Sequence, residues 1–261
     1  MKGERDADFS HSMTDLMSGL AVMFLVIAAI FMVQAAKATD EQRRLASLND
    51  AAAEKLRALK NDNARRIESL KDLSEKLDRN SVLSDRIDVL YDEAVDPLLL
   101  TIRFTNEHLQ FGSNECEVSS AQEVDLRVTL NALFEDLCGI VTPQAGLMQT
   151  ITLEGHTDLD WPRVSACGMK VRSRCAAPSP PPECEKDAFE NNVRLSAARA
   201  HYVFFLAREV LEGDLNQRCL EPFFVVSGRG PTTPIAPTRS DADRRVEIKI
   251  RVAPAPTSPG P

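Results

Sequence analysis

Several features that mark common classes of protein are missing from this sequence. The formal net charge is −8, so the chain lacks the surplus of positive charge that a nucleic-acid surface needs. It contains no Gly-x-Ser-x-Gly nucleophile motif, no His-Glu-x-x-His zinc motif and no Gly-Lys-Ser/Thr phosphate loop. The histidines, which are His11, His108, His156 and His201, lack metal-site spacing. We therefore predict a protein that is not an enzyme, binds no nucleic acid and holds no metal or cofactor.

Cysteine is missing from the first part of the chain and frequent in the rest. The six cysteines are Cys116, Cys138, Cys167, Cys175, Cys184 and Cys219. None of them forms the Cys-x-x-Cys pair of a zinc site, so we predict disulfides. Several pairings are compatible with the sequence. Disulfides confined to one part of a chain indicate that this part lies in an oxidising compartment.

Charge is missing from one long stretch near the N-terminus. From Met13 to Ala36 the only ionisable side chain is Asp15. A helix of about 20 apolar residues spans the hydrocarbon core of a bilayer, which is roughly 30 Å thick. We therefore predict a single transmembrane helix over residues 13–36, preceded by a short N-terminal segment, residues 1–12.

The apolar run is interpreted as a retained anchor rather than a cleaved signal peptide. Acidic residues outnumber Lys2 and Arg5 before it, so the positive segment that opens a signal peptide is missing. The basic residues after the span, from Lys37 to Arg44, favour a C-terminal part on the cytoplasmic side. The cysteines favour a C-terminal part in the periplasm, and we give them more weight. We predict an inner-membrane protein with a cytoplasmic N-terminus and a periplasmic C-terminal domain.

Asp15 lies at the start of the apolar run and has two interpretations. A carboxylate inside a membrane helix costs several kcal/mol unless it meets a partner or a path for water. This cost suggests a relay for protons or other cations. Alternatively, Asp15 caps the helix among the lipid headgroups, where the helix dipole favours a negative charge. Position alone does not choose between the two.

Glycine and proline are both absent from residues 37–95, which predicts a continuous, highly charged helix. A stripe recurs along it at steps of three, four and four residues and consists of Leu45, Leu48, Ala52, Leu56, Leu59, Asn63, Ile67, Leu70 and Ser74. That spacing predicts a straight or slightly right-handed pairing of helices. We predict that this periplasmic linker, residues 37–96, forms a coiled-coil-like homodimer. A solvated single helix is the alternative.

After Pro97 the pattern becomes that of a two-layer α/β domain, residues 97–252, in which strands alternate with helices. A Cys- and Pro-rich insertion, residues 163–187, interrupts it, and a disordered Pro-rich tail, residues 253–261, follows it. A capping box, Ser120-Ala-Gln-Glu123, opens the first helix. The other predicted elements are strands over Leu98–Thr105, Ile151–Gly155, Phe223–Ser227 and Val246–Val252, and a helix over Asn192–Leu211.

Two charged residues of this domain are candidates for ligand binding. Asp158 follows a predicted strand, and Arg199 lies in the helix that begins near Asn192. An acid and a guanidinium brought together in this way form a clamp for a zwitterionic or carboxylate ligand. The alternative is a structural Asp158–Arg199 ion pair, which spacing alone favours.

Three motifs resemble, in order, those of the OmpA-like peptidoglycan-binding domain. They are Gly155-His-Thr-Asp158, Asn192-x-x-Leu195-Ser-x-x-Arg199-Ala and Asp243-Arg-Arg-Val-Glu-Ile248. The resemblance implies that Asp158 and Arg199 hold the diaminopimelate of a peptidoglycan stem peptide. It places Thr157, Asn192, Leu195 and Arg244 in the same site. This chain departs from the family at Asp243, where Asn is usual, and in its long insertion.

The N-terminal segment, from Thr14-Asp-Leu-Met-Ser-Gly-Leu20 to Leu25, resembles the B subunits of flagellar-type stators. Within them it looks closest to the ZorB family of Zorya anti-phage systems. The resemblance implies that Asp15 relays a proton or sodium ion inside a ring of polytopic A-type subunits, similar to ZorA and MotA. A flagellar MotB-type subunit is one alternative. A passive wall tether is another alternative, but it gives Asp15 no role. Asp15 lies near Ser18-Gly19, where small residues allow helices to approach closely.

Overall fold

A computed structural model describes residues 3–105, 107–141, 147–158, 167, 184–232 and 243–255 of the chain. It divides into two compact units, Met1–Lys60 and Asn61–Pro261. One helix, α1, runs from Gly3 to Arg79 and belongs to both.

The first unit consists of the N-terminal part of α1. The apolar residues between Leu16 and Val33 are exposed on this helix. By length and composition, the segment that begins at Leu16 can cross a membrane, which confirms the predicted long apolar helix. Further along, Leu45, Leu48 and Leu56 of the predicted stripe are also exposed in the single chain.

The second unit is built around a mixed five-stranded sheet in the order β1-β2-β5-β3-β4. Only β3 and β4 run parallel, and the other neighbouring pairs are antiparallel. The elements are β1 Ile87–Tyr91, β2 Leu99–Phe104, α2 Ser120–Val141, β3 Met148–Gly155, α3 Glu185–Gly213, a 3₁₀ helix Leu215–Phe223, β4 Phe224–Gly228 and β5 Val246–Val252. The predicted α/β fold class is confirmed.

The core of the second unit is formed by the apolar faces that the sequence pattern predicts. In β5, Val246, Ile248 and Ile250 are fully buried, because alternate residues of a strand point to the same face. The predicted face of α2 is buried as well and consists of Leu126, Leu130, Leu133, Phe134 and Leu137. Burying each such leucine contributes about 1.5–3 kcal/mol.

The second unit begins before the predicted boundary at Pro97. Leu73 and Leu77, near the end of α1, are buried in the core. After a turn, β1 pairs antiparallel with β2, with Ile87 opposite Phe104. The prediction of a linker helix up to residue 96 is therefore wrong for its last part. The charged composition of the linker continues through β1, so the sequence pattern does not indicate this short strand.

The tail that follows β5 was expected to be disordered, and the structure corrects this for its first residues. The backbone amide of Ala253 donates to Leu147 O at 2.9 Å, and Arg66 Nη1 donates to Ala253 O at 3.0 Å. The amide of Ala255 donates to Asn63 Oδ1 at 2.8 Å, and Ala255 is buried. The polar stripe residue Asn63 therefore binds the C-terminal segment. Residues 256–261 lie outside the described residues.

Both long helices of the domain begin differently from the prediction. At α2, the capping pair is one residue earlier, because Ser119 and Gln122 exchange backbone-to-side-chain hydrogen bonds at 3.4 Å. Glu123 instead accepts hydrogen bonds from Arg127 and from Tyr202. Helix α3 starts at Glu185, several residues before Asn192. Its first residues thus belong to the predicted insertion, whose remainder, apart from Cys167 and Cys184, lies outside the described residues.

The predicted disulfides are present. Cys116 is bonded to Cys167, and Cys138 is bonded to Cys219. The second bond connects α2 to the 3₁₀ helix. Cys184 is disulfide-bonded as well, and Cys175 lies outside the described residues.

Candidate ligand-binding site

The candidate site lies where β3 ends against α3, and close backbone contact fixes this arrangement. A Cβ atom added to Gly155, the last residue of β3, would lie 1.9 Å from the carbonyl oxygen of Ser196. One added to Gly228 would lie 2.6 Å from the backbone nitrogen of Ala197. Only glycine fits at these two strand ends, so α3 packs directly on the sheet. The two motifs Gly155-His-Thr-Asp158 and Leu195-Ser-x-x-Arg199 are therefore neighbours in space.

Arg199 is fully buried beside this contact. Its Nε donates to Glu115 O at 2.9 Å, its Nη1 to His156 O at 3.2 Å and its Nη2 to Gly112 O at 3.0 Å. The guanidinium carbon lies 5.1 Å from the ring centroid of Phe111, within range of a cation–π interaction. Burial lowers the pKa of Arg199 to about 10, against the opposing attraction of nearby acidic groups. Arg199 thus remains a cation at neutral pH.

Asp158 forms its direct ion pair with Arg244 rather than with Arg199. Arg244 Nη1 donates to Asp158 Oδ2 at 2.9 Å, and Arg244 Nε donates to Phe111 O at 3.1 Å. The side chains of Asp158 and Arg244 are 6% and 11% exposed. The negative charge of Asp158 acts on Arg199 through the field, since it counteracts the lowering of the Arg199 pKa. The structural ion pair that the spacing favours is therefore made by a different arginine.

The remaining predicted site residues are buried near these groups. Thr157 lies between His156 and Asp158, and its backbone amide donates to Gly230 O at 3.3 Å. Asn192 and Leu195 are buried on α3, about two turns and one turn before Arg199. Their roles in ligand binding stay predictions.

A loop that the sequence motifs do not mark also belongs to the site. Residues 111–116, between β2 and α2, supply the carbonyl oxygens and the aromatic ring that surround the two arginines. We call this segment the site loop. Backbone carbonyls have no sequence signature, so the only available signal was Cys116 at its end.

A buried network of charged residues extends from the site along the sheet. Glu154 on β3 accepts a hydrogen bond from Arg229 Nε at 2.8 Å and from Lys249. On β5, directly opposite Glu154, Glu247 accepts from Arg245 Nε at 2.7 Å. Asp243, at the position where the resemblance led us to expect Asn, lies 3.6 Å from Arg245 Nη1 and is also buried.

Glu154 and Glu247 also lie on either side of a histidine. Nε2 of His156 is 3.3 Å from a Glu154 oxygen and 3.5 Å from a Glu247 oxygen. These three side chains are close enough to bind one metal ion. However, Lys249 and Arg245 already supply the positive charge that a metal would bring, which favours an ion-pair network over a metal centre.

The environment of Glu154 predicts that the free energy of unfolding falls in acid. Burial alone would raise the pKa of Glu154, but the neighbouring His156 and the hydrogen bonds from Lys249 and Arg229 lower it to about 2. Because the folded pKa lies below the unfolded value, the stabilisation is present above about pH 4.5 and is lost as the pH falls toward 2. We expect a loss on the order of 3 kcal/mol from this group, measured by denaturant unfolding at stepped pH. Glu154→Gln should flatten that slope; an equal slope in the variant would contradict the assignment.

The predicted ion relay lies outside this unit. Asp15 is within α1, and its side chain lies outside what the structure describes. Its role therefore stays a prediction.

Comparison with known proteins gives one relative over nearly the whole chain. No family model matches the sequence. The Zorya protein ZorB of Escherichia coli is 22% identical over 253 residues, which are 95% of this chain and 90% of the relative.

Solved structures resemble the chain over part of its length. A MotB-like protein of Desulfovibrio vulgaris has a TM-score of 0.48 with 18% identity and covers 75% of this chain and 99% of its own. The type VI secretion cell wall anchor of Pseudomonas aeruginosa has a TM-score of 0.36 with 20% identity, covering 68% and 96%. The periplasmic domain of Helicobacter pylori MotB, residues 78–256 of that protein, has a TM-score of 0.37 with 17% identity, covering 60% and 78%.

The whole-chain similarity agrees with the motifs and with the arrangement of the elements. A long apolar N-terminal helix precedes a mixed-sheet domain, and the aligned relative matches across 95% of the chain. The resemblance that the sequence motifs indicate is thereby supported over nearly the whole chain, which is similar to the Zorya protein ZorB.

Proposed function

We propose that this chain is the B-type subunit of an ion-driven inner-membrane motor, and that its second unit fastens the motor to peptidoglycan. The observation that carries the wall-binding part is the state of Arg199. It is a fully buried cation whose three hydrogen bonds all go to neutral carbonyl oxygens. A guanidinium has five N–H groups, so two of them donate to nothing among the described residues.

A buried cation without an anion in direct contact favours a negatively charged ligand. A carboxylate at the two remaining N–H groups of Arg199 would gain charge-assisted hydrogen bonds in a low-dielectric site. Asp158 would receive the ligand's amine in exchange for Arg244. Diaminopimelate offers an amine and a carboxylate on one carbon, which suits this pair. Thr157, Asn192 and Leu195 would shape the rest of the pocket.

The ligand has to open the site in order to bind. Arg199 is fully buried, whereas the Asp158–Arg244 ion pair retains slight exposure. Entry would therefore proceed by separating Asp158 from Arg244.

The membrane part of the proposal is carried by the apolar helix and by the similarity to ZorB. The helix would cross the inner membrane once, with the N-terminus in the cytoplasm. The disulfide-bonded second unit would then lie in the oxidising periplasm, beside the wall. The exposed stripe with Leu45, Leu48 and Leu56 would pair with the same stripe of a second copy, because a narrow apolar stripe on a charged helix needs a cover.

Asp15 would carry a proton or sodium ion between this dimer and a ring of polytopic A-type subunits, ZorA-like or MotA-like. An ion gradient supplies about 2.3 kcal/mol per charge for each 100 mV, enough to turn one set of helices against the other over several ions. With the dimer fixed to the wall, the A subunits would move. Similarity to ZorB favours anti-phage defence as the purpose of this movement.

The wall-binding part is tested by competition with small ligands. The detergent-solubilised full chain is bound to purified peptidoglycan and released with free diaminopimelate or with cadaverine. Cadaverine has the same two amines at the same spacing and no carboxylate, so it is a matched control. We expect diaminopimelate to release the chain at concentrations at which cadaverine does not. Failure to bind peptidoglycan, or equal release by both ligands, would contradict the proposed site.

A further inference from the structure

The site loop, residues 111–116, orients both arginines of the candidate site. The carbonyl oxygen of Phe111 accepts from Arg244 Nε at 3.1 Å. The carbonyl oxygens of Gly112 and Glu115 accept from Arg199 Nη2 and Nε at 3.0 and 2.9 Å. Three carbonyls of one short segment therefore decide where two positive charges lie.

The hydrogen bonds to Arg199 determine the whole plane of its guanidinium. Nε and Nη2 form one edge of the planar group, and the loop carbonyls of Gly112 and Glu115 hold that edge. Nη1 is held from the other side by His156 O, and the ring of Phe111 lies against the group at 5.1 Å. A planar fork held at three nitrogens has a single orientation, so its two remaining N–H groups are preorganised for a carboxylate.

The loop itself has little regular structure to keep it in place. Asn114 has φ of 61°, in the left-handed region. A Cβ atom added to Gly112 would lie 2.2 Å from a carboxylate oxygen of Glu115, so the loop folds tightly on itself there. Fixing each backbone residue costs about 1–2 kcal/mol in conformational entropy. Something must offset that cost if the three carbonyls are to stay aligned.

The Cys116–Cys167 disulfide is placed to do so. It joins the last residue of the site loop to a residue 51 positions away in the sequence, and Cys167 Sγ also lies 3.7 Å from Asn114 O. A cross-link of this separation restricts the unfolded chain, and in the folded chain it tethers the end of the site loop at Cys116. Glu115, whose carbonyl holds Arg199, is directly next to this bond.

We propose that the Cys116–Cys167 disulfide and the site loop are positioning elements of the ligand site, and that the disulfide determines ligand affinity by holding Arg199 and Arg244 in place. This inference rests on the proposed peptidoglycan binding. The bond touches no ligand; it acts through the loop carbonyls. Removing it therefore weakens binding of the carboxylate in particular, because an unrestrained loop no longer fixes the guanidinium plane of Arg199.

The Cys138–Cys219 disulfide provides a matched control within the same unit. It joins α2 to the 3₁₀ helix across a separation of 81 residues, and neither cysteine belongs to the site loop. The full-length chain is prepared with Cys116→Ser and Cys167→Ser together, and separately with Cys138→Ser and Cys219→Ser. Thermal unfolding, peptidoglycan binding and competition by diaminopimelate and by cadaverine are measured for both variants and the wild type.

We expect both double variants to lower the unfolding temperature, since each loses a cross-link. Only the Cys116/Cys167 variant should bind peptidoglycan about tenfold more weakly, and its preference for diaminopimelate over cadaverine should fall toward one. The control should keep affinity and preference within about twofold of wild type. A merely structural bond would move the unfolding temperature and leave this preference unchanged.

Two results would overturn the inference. Binding and preference equal to wild type in the Cys116/Cys167 variant would show that the loop holds its carbonyls without the bond. Equal weakening in both variants would show a general effect of stability. If the wild-type chain does not bind peptidoglycan, the proposed function fails first and this inference falls with it, so the two failures are distinguishable.

Discussion

Asp15→Asn is expected to abolish ion flow and anti-phage protection while leaving assembly of the complex intact. Asn has nearly the size of Asp and can still form hydrogen bonds, but it has no carboxylate that could bind and release a cation. The substitution also removes a charge from an otherwise apolar segment of α1, where charge is costly. The variant should therefore insert and assemble at least as well as wild type while transport stops.

The measurement pairs function with assembly. Protection is measured as plaque formation in cells that carry the variant, and assembly as recovery of a polytopic partner with the tagged chain. Asp8→Asn is the matched control, because Asp8 precedes the apolar run and should tolerate the loss of its charge. Full protection by Asp15→Asn would contradict the relay and leave a passive wall tether. Loss of the partner would instead indicate that Asp15 serves assembly.

Most of what could be predicted about the fold came from the periodic spacing of apolar residues. The alternation of Val246, Ile248 and Ile250 and the spacing of Leu126 and Leu130 indicated buried faces that the structure confirms. These patterns are local, and the physics that produces them is local too, since strand and helix geometry decide which side chains share a face. The long uncharged run after Asp15 likewise predicts an apolar helix without ambiguity.

Prediction failed where one pattern continues across a change of structure. Leu73 and Leu77 lie outside the predicted stripe of the long helix, and no nearby pattern indicates that they belong to the core of the second unit. The strand Ile87–Tyr91 is short and carries Asp88, so it reads as more charged linker. Asn63 was predicted as a member of the stripe, yet its side chain accepts a hydrogen bond from the amide of Ala255, a residue 192 positions later. Contacts of that separation leave no periodic trace.

The candidate site also has residues that the sequence predicts and residues that it does not. Asp158 and Arg199 were predicted because their motifs contain charged side chains that suit a zwitterionic ligand. The partners of Arg199 were not predictable, since they are backbone oxygens of Gly112 and Glu115. For the same reason the ion pair was assigned to Arg199 rather than to Arg244: both arginines are plausible partners for Asp158 until the site loop is in place.

Arg199→Lys is expected to reduce peptidoglycan binding about tenfold to a hundredfold while the domain stays folded. Lysine keeps the positive charge and much of the volume, so it avoids the cavity that Arg199→Ala would leave among fully buried contacts. It has no planar fork, however, and cannot hold the carbonyls of Gly112, Glu115 and His156 while also presenting two N–H groups to a carboxylate. Losing a charge-assisted hydrogen bond costs about 1.5–3 kcal/mol, which gives the expected range.

The control and the partner variant make this result specific. Arg208 lies on the same helix, is more than half exposed and forms a surface ion pair with Glu212. The Arg208→Lys variant should therefore bind peptidoglycan as the wild type does. Asp158→Asn keeps the shape of its side chain but loses the charge that would hold the ligand's amine, and it should weaken binding by a similar factor. Double substitution of Asp158 and Arg199 should cost less than the sum of the two effects, because both side chains hold one ligand. Normal binding by Arg199→Lys, with the fold intact, would mean that this buried cation serves only the packing of the site loop, and the wall contact would have to be sought on another surface of the domain.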